Sequence, residues 1–240
     1  RIGDSYQLGK PQRPLLAIHD HLRQAPLWLW QKLHHYQPAA VAAFAEGQQY
    51  HWSEPNAEGH CEYMRHAPIT QTYHYKTGPR ACDFPRHSGF YLFNYAFAAS
   101  QEARPVWLAQ MRRYLDYWWQ RRDATGLLLL ESRSPANDPK FFNVLAPGQT
   151  LSLGTSLIEG AALLERAGVD PELSQIMRQR AAVYLKGFLA APHDPANGRF
   201  LISFTRGAST GKAMPLWGSE YGVWPAAYVG LTALRAATLT

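Results

Sequence analysis

The segment Glu58–Tyr91 gathers side chains that can move protons and hold anions. Tyr73-His74-Tyr75-Lys76 sets two phenols, an imidazole and an ammonium side by side, and Arg80, Arg86 and His87 follow within a few residues. Those types suit β-elimination from a uronic acid. The reaction needs a base for the C5 proton, an acid for the leaving oxygen, and groups that neutralise the carboxylate. Tyr75 or His74 is the candidate base and acid. Arg80, Arg86 and His87 are candidate neutralisers, because a guanidinium grips a carboxylate through two parallel hydrogen bonds. Tyr73 lies beside them as a substrate contact. The competing structural reading packs some of these rings beneath the loop.

Glycoside hydrolysis asks for two carboxyl groups facing each other, about 5–5.5 Å apart for retention or about 6.5–9.5 Å for inversion. Glu62 and Asp83 are the candidates in this segment, with Glu131 and Glu220 further along. Asp83 lies between Arg80 and Arg86 and could equally be their ion-pair partner. His60, Glu62 and His66 are zinc-ligand types, but H-x-E-x-x-x-H is not the helical H-E-x-x-H spacing. No cofactor is expected, and a metal on those three residues is the minor reading. A non-catalytic sugar- or partner-binding domain is a further alternative. Trp52 in WSEPN and Trp217 in PLWGSEYG would then be stacking platforms on a cleft rim, whereas Trp28 and Trp30 read as core. No nucleophile elbow, P-loop or dinucleotide fingerprint is present.

The net charge of +6 favours anionic partners. No Lys/Arg block runs along the chain, so nucleic acid is not expected. Arg112, Arg113, Arg121 and Arg122 read as the wet side of one outer helix. No apolar run reaches the ~18 residues of a membrane span. Aromatic residues make up 13% of the chain against only 18% charged residues, which suits a large core and ring-stacking surfaces. The expected partner is an anionic poly- or oligosaccharide. Cys61 and Cys82 are either two free thiols or one disulfide stapling the segment. An extracellular or periplasmic location would suit the staple. The chain starts at Arg1 with no signal peptide in view, as a mature or trimmed form would.

The elements that must position these residues are helices. Pro14 opens one amphipathic piece, Pro26 restarts it through PLWLWQKLHHY, and Pro38 opens PAAVAAFAEG, closed by Gly47. A long irregular loop, 48–87, follows. It is too aromatic to be disordered, so it reads as an ordered functional loop. Ser88 is a good N-cap for the helix 88–103, apolar nearly all round. Pro105 starts an amphipathic helix, 105–123, through Trp107, Leu108, Met111, Tyr114, Leu115 and Trp118, ended at Thr125-Gly126. The alternation recurs: a mostly apolar helix 150–167 closed by Gly168, then Asp170-Pro171 as cap and first residue of an amphipathic helix 171–190. That helix faces inward through Leu173, Ile176, Val183 (or Ala182) and Phe188. RFLISF is a short strand candidate. A last apolar helix, 219–238, has no amphipathic partner after it.

Buried helices therefore alternate with amphipathic ones, a quasi-repeat of helical hairpins. The pattern resembles the six-hairpin (α/α) toroid superfamily of glycoside hydrolases and polysaccharide lyases. RHSGFYLFNYAFAAS, DYWWQRRDATGLLLLESR, PGQTLSLGTSLIEGAALLERAG and YGVWPAAYVGLTALRAA carry the resemblance, over about two thirds of the chain. Arg86-His87-Ser88-Gly89-Phe90 is similar to the His-Asp-x-Gly-Phe opening of the unsaturated glucuronyl hydrolases. His87 stands where that family has Asp, so the carboxylate's role does not carry over. The expectation is an all-α, single-domain toroid over 1–240, incomplete at about three hairpins and one helix. A second chain, or a missing C-terminal segment, would pack on 219–238. The implied function is a carbohydrate-active enzyme on an acidic polysaccharide, with a lyase slightly ahead of a hydrolase.

Overall fold

The structure is a computed structural model that describes residues 27–40, 62–63, 80–81, 85–129, 144–193, 196, 200–201, 203–206, 210 and 212–215. For residues 27–30, 62–63, 80–81, 87 and 214–215 the description stops at the backbone. Nine elements are named among these residues. They are helix α1 (Leu27–Tyr36), strands β1 (Glu62–Tyr63) and β2 (Arg80–Ala81), helices α2 (Pro85–Gln101), α3 (Pro105–Trp119), α4 (Pro147–Ala167) and α5 (Pro171–Leu189), and strands β3 (Phe204–Arg206) and β4 (Ala213–Pro215).

Two helices form the inner layer. Along α2, Ser88 through Ala99 are all buried. Along α4, Thr150 through Leu164 are buried apart from half-exposed Glu159. A helix apolar all round can only be stable when covered on every side. Here α2 and α4 pack closely on each other, α3 covers α2, and α5 covers α4. The inner pair is parallel. Arg86 near the start of α2 meets Gln149 near the start of α4, Gly89 faces Leu153 and Ser156, and Ala96 faces Gly160. Small residues along this seam let the two backbones approach, and each large apolar side chain sealed around it contributes about 1.5–3 kcal/mol.

The outer helices are amphipathic, as their spacing predicts. Trp107, Met111, Tyr114, Leu115 and Trp118 of α3 are buried, with Leu108 packed beside them. On α5 the buried face runs through Leu173, Met177, Ala181, Tyr184 and Phe188. The expected face through Ile176 and Val183 is rotated by part of a turn. Those two are half-buried and Ala182 is exposed, because Met177 and Tyr184 reach the small-residue surface of α4 at Gly160 and Gly154.

The helix ends explain the connections. Gly168 closes α4 with φ 65°, a left-handed conformation that costs glycine nothing. Asp170 caps α5 by accepting from the Leu173 amide, and Pro171 fills the first helical position. Two starts differ from the sequence expectation. Helix α2 begins at Pro85, not Ser88, and α4 at Pro147, not Thr150. Each proline lacks the N–H that a first helical turn leaves unsatisfied, so it starts the helix about one turn early. Ser88 and Thr150 are then buried within their helices. At the other end, α3 stops at Trp119, so Arg121 and Arg122 lie in the following turn and not on a helical face.

Within the expected irregular loop 48–87, β1 and β2 pair antiparallel, Glu62 opposite Ala81 and Tyr63 opposite Arg80. The strand expected over RFLISF falls later. Phe200 makes a single bridge to His193, and the continuous pairing is Phe204–Arg206 with Ala213–Pro215. The expected helices 14–25 and 219–238, most of PAAVAAFAEG and the Cys61–Cys82 pairing lie outside the described residues.

Candidate functional site

Parallel inner helices bring two N-termini to one end of the molecule. The amide of Arg86 donates to the Gln149 side-chain carbonyl at 3.2 Å, tying the first turn of α2 to the first turn of α4. The chain that precedes each N-terminus also arrives there, by simple connectivity. For α4 the described part is residues 144–146, which bridge to the turn following α3 through Leu129–Leu145 and through the Ala146 amide on the Leu128 carbonyl.

The turn that follows α3 is tightly held. Asp123 locks it: its Oδ1 accepts from the Thr125 amide at 2.9 Å, the Thr125 hydroxyl at 2.6 Å and the Leu127 amide at 3.0 Å. Gly126 takes φ 98°, and a Cβ there would lie 2.5 Å from the Val183 carbonyl oxygen of α5. The D-A-T-G-L-L turn is therefore shaped by both its backbone and its neighbour. Beyond it, the Leu128 amide donates to the Thr150 hydroxyl at 3.0 Å, which in turn donates to the Ala146 carbonyl at 3.0 Å. Leu145 and Phe204 exchange backbone hydrogen bonds at 2.7 and 2.9 Å. Under these bridges lies a small second core of Leu127, Leu145, Ala191, Leu201 and Phe204.

Of the candidate residues, Arg86 is the one whose side chain is described. It is half-buried in the first turn of α2, its guanidinium 5.9 Å from the centre of the Phe90 ring. His87 follows it in that turn. The β1–β2 pairing brings the Glu62 and Arg80 backbones to adjacent rungs. Tyr73, His74, Tyr75, Asp83, Trp52, Trp217, His60 and His66 lie outside the described residues. The inner helices offer few carboxylates of their own: α2 has none, and α4 has none before Glu159. Sequence reasoning missed Gln149, the residue joining the two N-termini. Its place in PGQ, just inside a proline-opened helix, was the available signal.

Two other titratable groups, one buried and one at the surface, are not candidates for proton transfer. Tyr184 is fully buried between the outer and inner layers; burial pushes its phenol up, against the pull of Arg180 and Arg122, so it stays neutral. Glu165, at the far end of α4, is held below the usual carboxylate range by its hydrogen bonds to Arg178.

The overall arrangement is similar to solved toroid enzymes. One is the unsaturated glucuronyl hydrolase from Bacillus sp. GL1, described as responsible for the degradation of glycosaminoglycan. It superposes with a TM-score of 0.57 at 17% identity, over 95% of this chain and 60% of that one. Another is an aspartate-to-asparagine variant designated UGL, with the saccharide dGlcA-Glc-Rha-Glc, at the same identity, coverage and TM-score. No family model matches the sequence, and no curated protein does. The likeness fixes the fold: an (α/α) helical-hairpin toroid, of which this chain spans 60% of the length seen in those enzymes.

Proposed function

We propose that the protein is a carbohydrate-active enzyme that hydrolyses glycosidic bonds in uronate-containing saccharides. The observation that carries this reading is the fold match to unsaturated glucuronyl hydrolases over 95% of the chain. It reverses the order that residue types suggested. A dense Tyr/His/Arg loop serves recognition of a uronate equally well in a hydrolase, so it does not by itself favour elimination. The net charge of +6 supports an anionic substrate under either mechanism.

The chemistry needs two carboxyl groups, and the first turns of α2 and α4 do not supply them. Glu62 and Asp83 are the proposed pair. Residue 83 lies two positions after Ala81, the partner of Glu62 across the β1–β2 ladder. The two hydrolytic mechanisms differ in the carboxyl separation they need, about 5–5.5 Å for retention and about 6.5–9.5 Å for inversion. One carboxyl would protonate the leaving oxygen, and the other would act as nucleophile or activate water. Arg80, Arg86 and His87 would hold the substrate carboxylate.

The test offers the protein two substrates, an intact uronate polymer and an oligosaccharide ending in a 4,5-unsaturated uronyl group. Hydrolysis of the second frees an unsaturated sugar that opens to a keto acid, so near-ultraviolet absorbance falls as a reducing end appears. Growth of that absorbance on the intact polymer, without water consumption, would mean elimination. Glu62→Gln and Asp83→Asn should each lower kcat at least 100-fold, with KM changing far less.

A further inference from the structure

Between the end of α3 and strand β3 lies a cleft of about 370 Å³, lined among the described residues by Gln120, Arg121, Arg122, Asp123, Leu129, Leu145, Thr205 and Arg206. Its volume falls at the small end of ligand sites, which run from about 300 to 1,000 Å³. Its floor is the bridged backbone already described. The Arg121 carbonyl accepts from the Leu129 amide at 3.3 Å, and Leu129 and Leu145 form a further bridge above the second core. We propose that this cleft is a second saccharide subsite, which takes one sugar unit bearing a carboxylate or a sulfate ester.

The charge is the first argument. Three arginines, Arg121, Arg122 and Arg206, line the cleft against one carboxylate, and that carboxylate has little left to offer a ligand. Asp123 Oδ1 already accepts three hydrogen bonds, and Oδ2 is shared by Arg206 Nε and Nη2, both at 3.4 Å. The Arg206 contacts are long, and both partners are partly exposed, at 35% and 21%. An anion in the cleft could take the same donors at shorter distance.

Preorganisation is the second argument. Arg121 lies 3.8 Å over the Tyr117 ring, and Arg122 3.5 Å over the Trp119 ring. Each also donates to the backbone carbonyl of the residue whose ring it covers, at the C-terminal turn of α3. Arg206 rests 5.3 Å over Phe204. Flat guanidinium groups seated on rings lose little freedom when they bind, and their edges carry donors suited to an oxyanion. Gln120 and Thr205 add neutral hydrogen-bonding groups for ring hydroxyls, and Leu129 and Leu145 give an apolar patch for a sugar face.

Location is the third. Leu145 is two residues before Pro147, so the cleft adjoins the N-terminus of α4 at the end where α2 also begins. A saccharide chain running from the inner helix mouths outward over the turn would reach it. The choice of a sugar rests on the hydrolase reading; the anion selectivity does not.

The experiment is a binding titration on the full chain by calorimetry, with glucuronate, glucose 6-sulfate, glucose and inorganic sulfate as separate probes. Glucuronate or glucose 6-sulfate should bind, glucose at least tenfold more weakly, and the stronger of the two charged sugars names the anion. Gln120→Glu places a negative charge in an exposed part of the cleft, and Arg206→Gln removes one guanidinium. Each should weaken the charged sugars at least fivefold while leaving the melting curve within a few degrees of the wild type. Equal binding of glucose, equal binding of inorganic sulfate, or affinities that ignore both substitutions would overturn the subsite. Hydrolysis is not read in this assay. Loss of activity on unsaturated uronides with binding intact sinks the enzyme assignment and leaves the cleft standing.

Discussion

The inner pair α2–α4 and the outer pair α3–α5 are the same kind of element held by opposite means. Between α2 and α4 the contact is small against small: Gly89 on Leu153 and Ser156, Ala96 on Gly160. The only basic or acidic side chains in α2 are Arg86 and His87 at its start, so no ion pair crosses the middle of this seam. Between α3 and α5 the ties are ionic. Arg112 contacts both oxygens of Asp170 at 2.9 Å and Glu172 at 3.4 Å, and Arg180 reaches Asp116 at 2.7 Å. The guanidinium groups of Arg122 and Arg180 both lie over the Trp119 ring, at 3.5 and 5.2 Å. The difference follows from water. The inner seam is buried away from it, so close packing governs the contact. The outer seam is half-wet, so charges can pair without a full desolvation cost. The inner helices carry few carboxylates of their own: α2 has none and α4 has none before Glu159.

The sharpest way to break this contrast is through Gly187. It belongs to an outer helix but makes an inner-type contact. A Cβ there would lie 2.6 Å from the Gly126 carbonyl carbon, 2.8 Å from the Thr125 oxygen and 2.9 Å from the Leu127 nitrogen, all backbone atoms. Gly187→Ala should cost about 3 kcal/mol in urea unfolding, at the upper end of overpacking effects. Gly160→Ala is the control. Its nearest neighbour, at 2.7 Å, is the terminal methyl of Met177, which can swing aside. Helix propensity then returns about 1 kcal/mol, so the net change should stay within about 1 kcal/mol. Equal losses at the two glycines would mean that backbone contact is not what distinguishes them.

How much of this was legible in advance divides along the same line. The alternation of apolar and amphipathic helices is written in the period of Trp107, Met111, Tyr114 and Trp118, and it led directly to the toroid. Gly168 and Asp170-Pro171 were readable because capping is local. Pro85 and Pro147 were missed as helix starts, though the same rule was applied at Pro105 and Pro171. In both cases a more polar residue three positions later, Ser88 or Thr150, looked like the better boundary. The rotated face of α5 was not readable, since Gly154 and Gly160 of another helix set it. The strand near 204 depends on pairing with Ala213–Pro215, a contact that no local pattern announces. The candidate site was legible as residue types, of which Arg86 alone has a described side chain. The D-A-T-G-L-L turn was read only as an architectural mark. Its second use, as one wall of a cationic cleft, needed Arg206, which lies 83 positions from Asp123.

Asp170 gives a middle-sized effect that separates capping from charge in the outer seam. It is the one described non-glycine residue with positive φ, at 43°, and Asp and Asn tolerate that region better than most. Asp170→Ala removes the cap on Leu173 and the partner of Arg112 together, and should cost about 2 kcal/mol. Asp170→Asn keeps the side-chain acceptor and the backbone preference, so it should cost less than about 1 kcal/mol. If the two variants unfold at the same denaturant concentration, the ionic tie to α3 outweighs the cap.

The smallest effect is expected at Glu165–Arg178, a surface pair joining α4 to α5 with contacts of 2.6 and 2.7 Å. Both side chains are more than a third exposed, at 40% and 36%, so solvent screens the pair and its worth is about 0.5 kcal/mol or less. The hydrogen bonds to Arg178 hold the Glu165 carboxyl below its ordinary value, so folding favours the ionised form. Its contribution is therefore fully present above the ordinary carboxylate range and is lost as pH falls through the lowered folded value. Glu165→Gln should differ from wild type slightly at neutral pH and not at all in strong acid, and the difference should shrink in high salt. A gap that persists unchanged at low pH would show that Glu165 acts by packing, which would make this end of the outer layer resemble the inner seam.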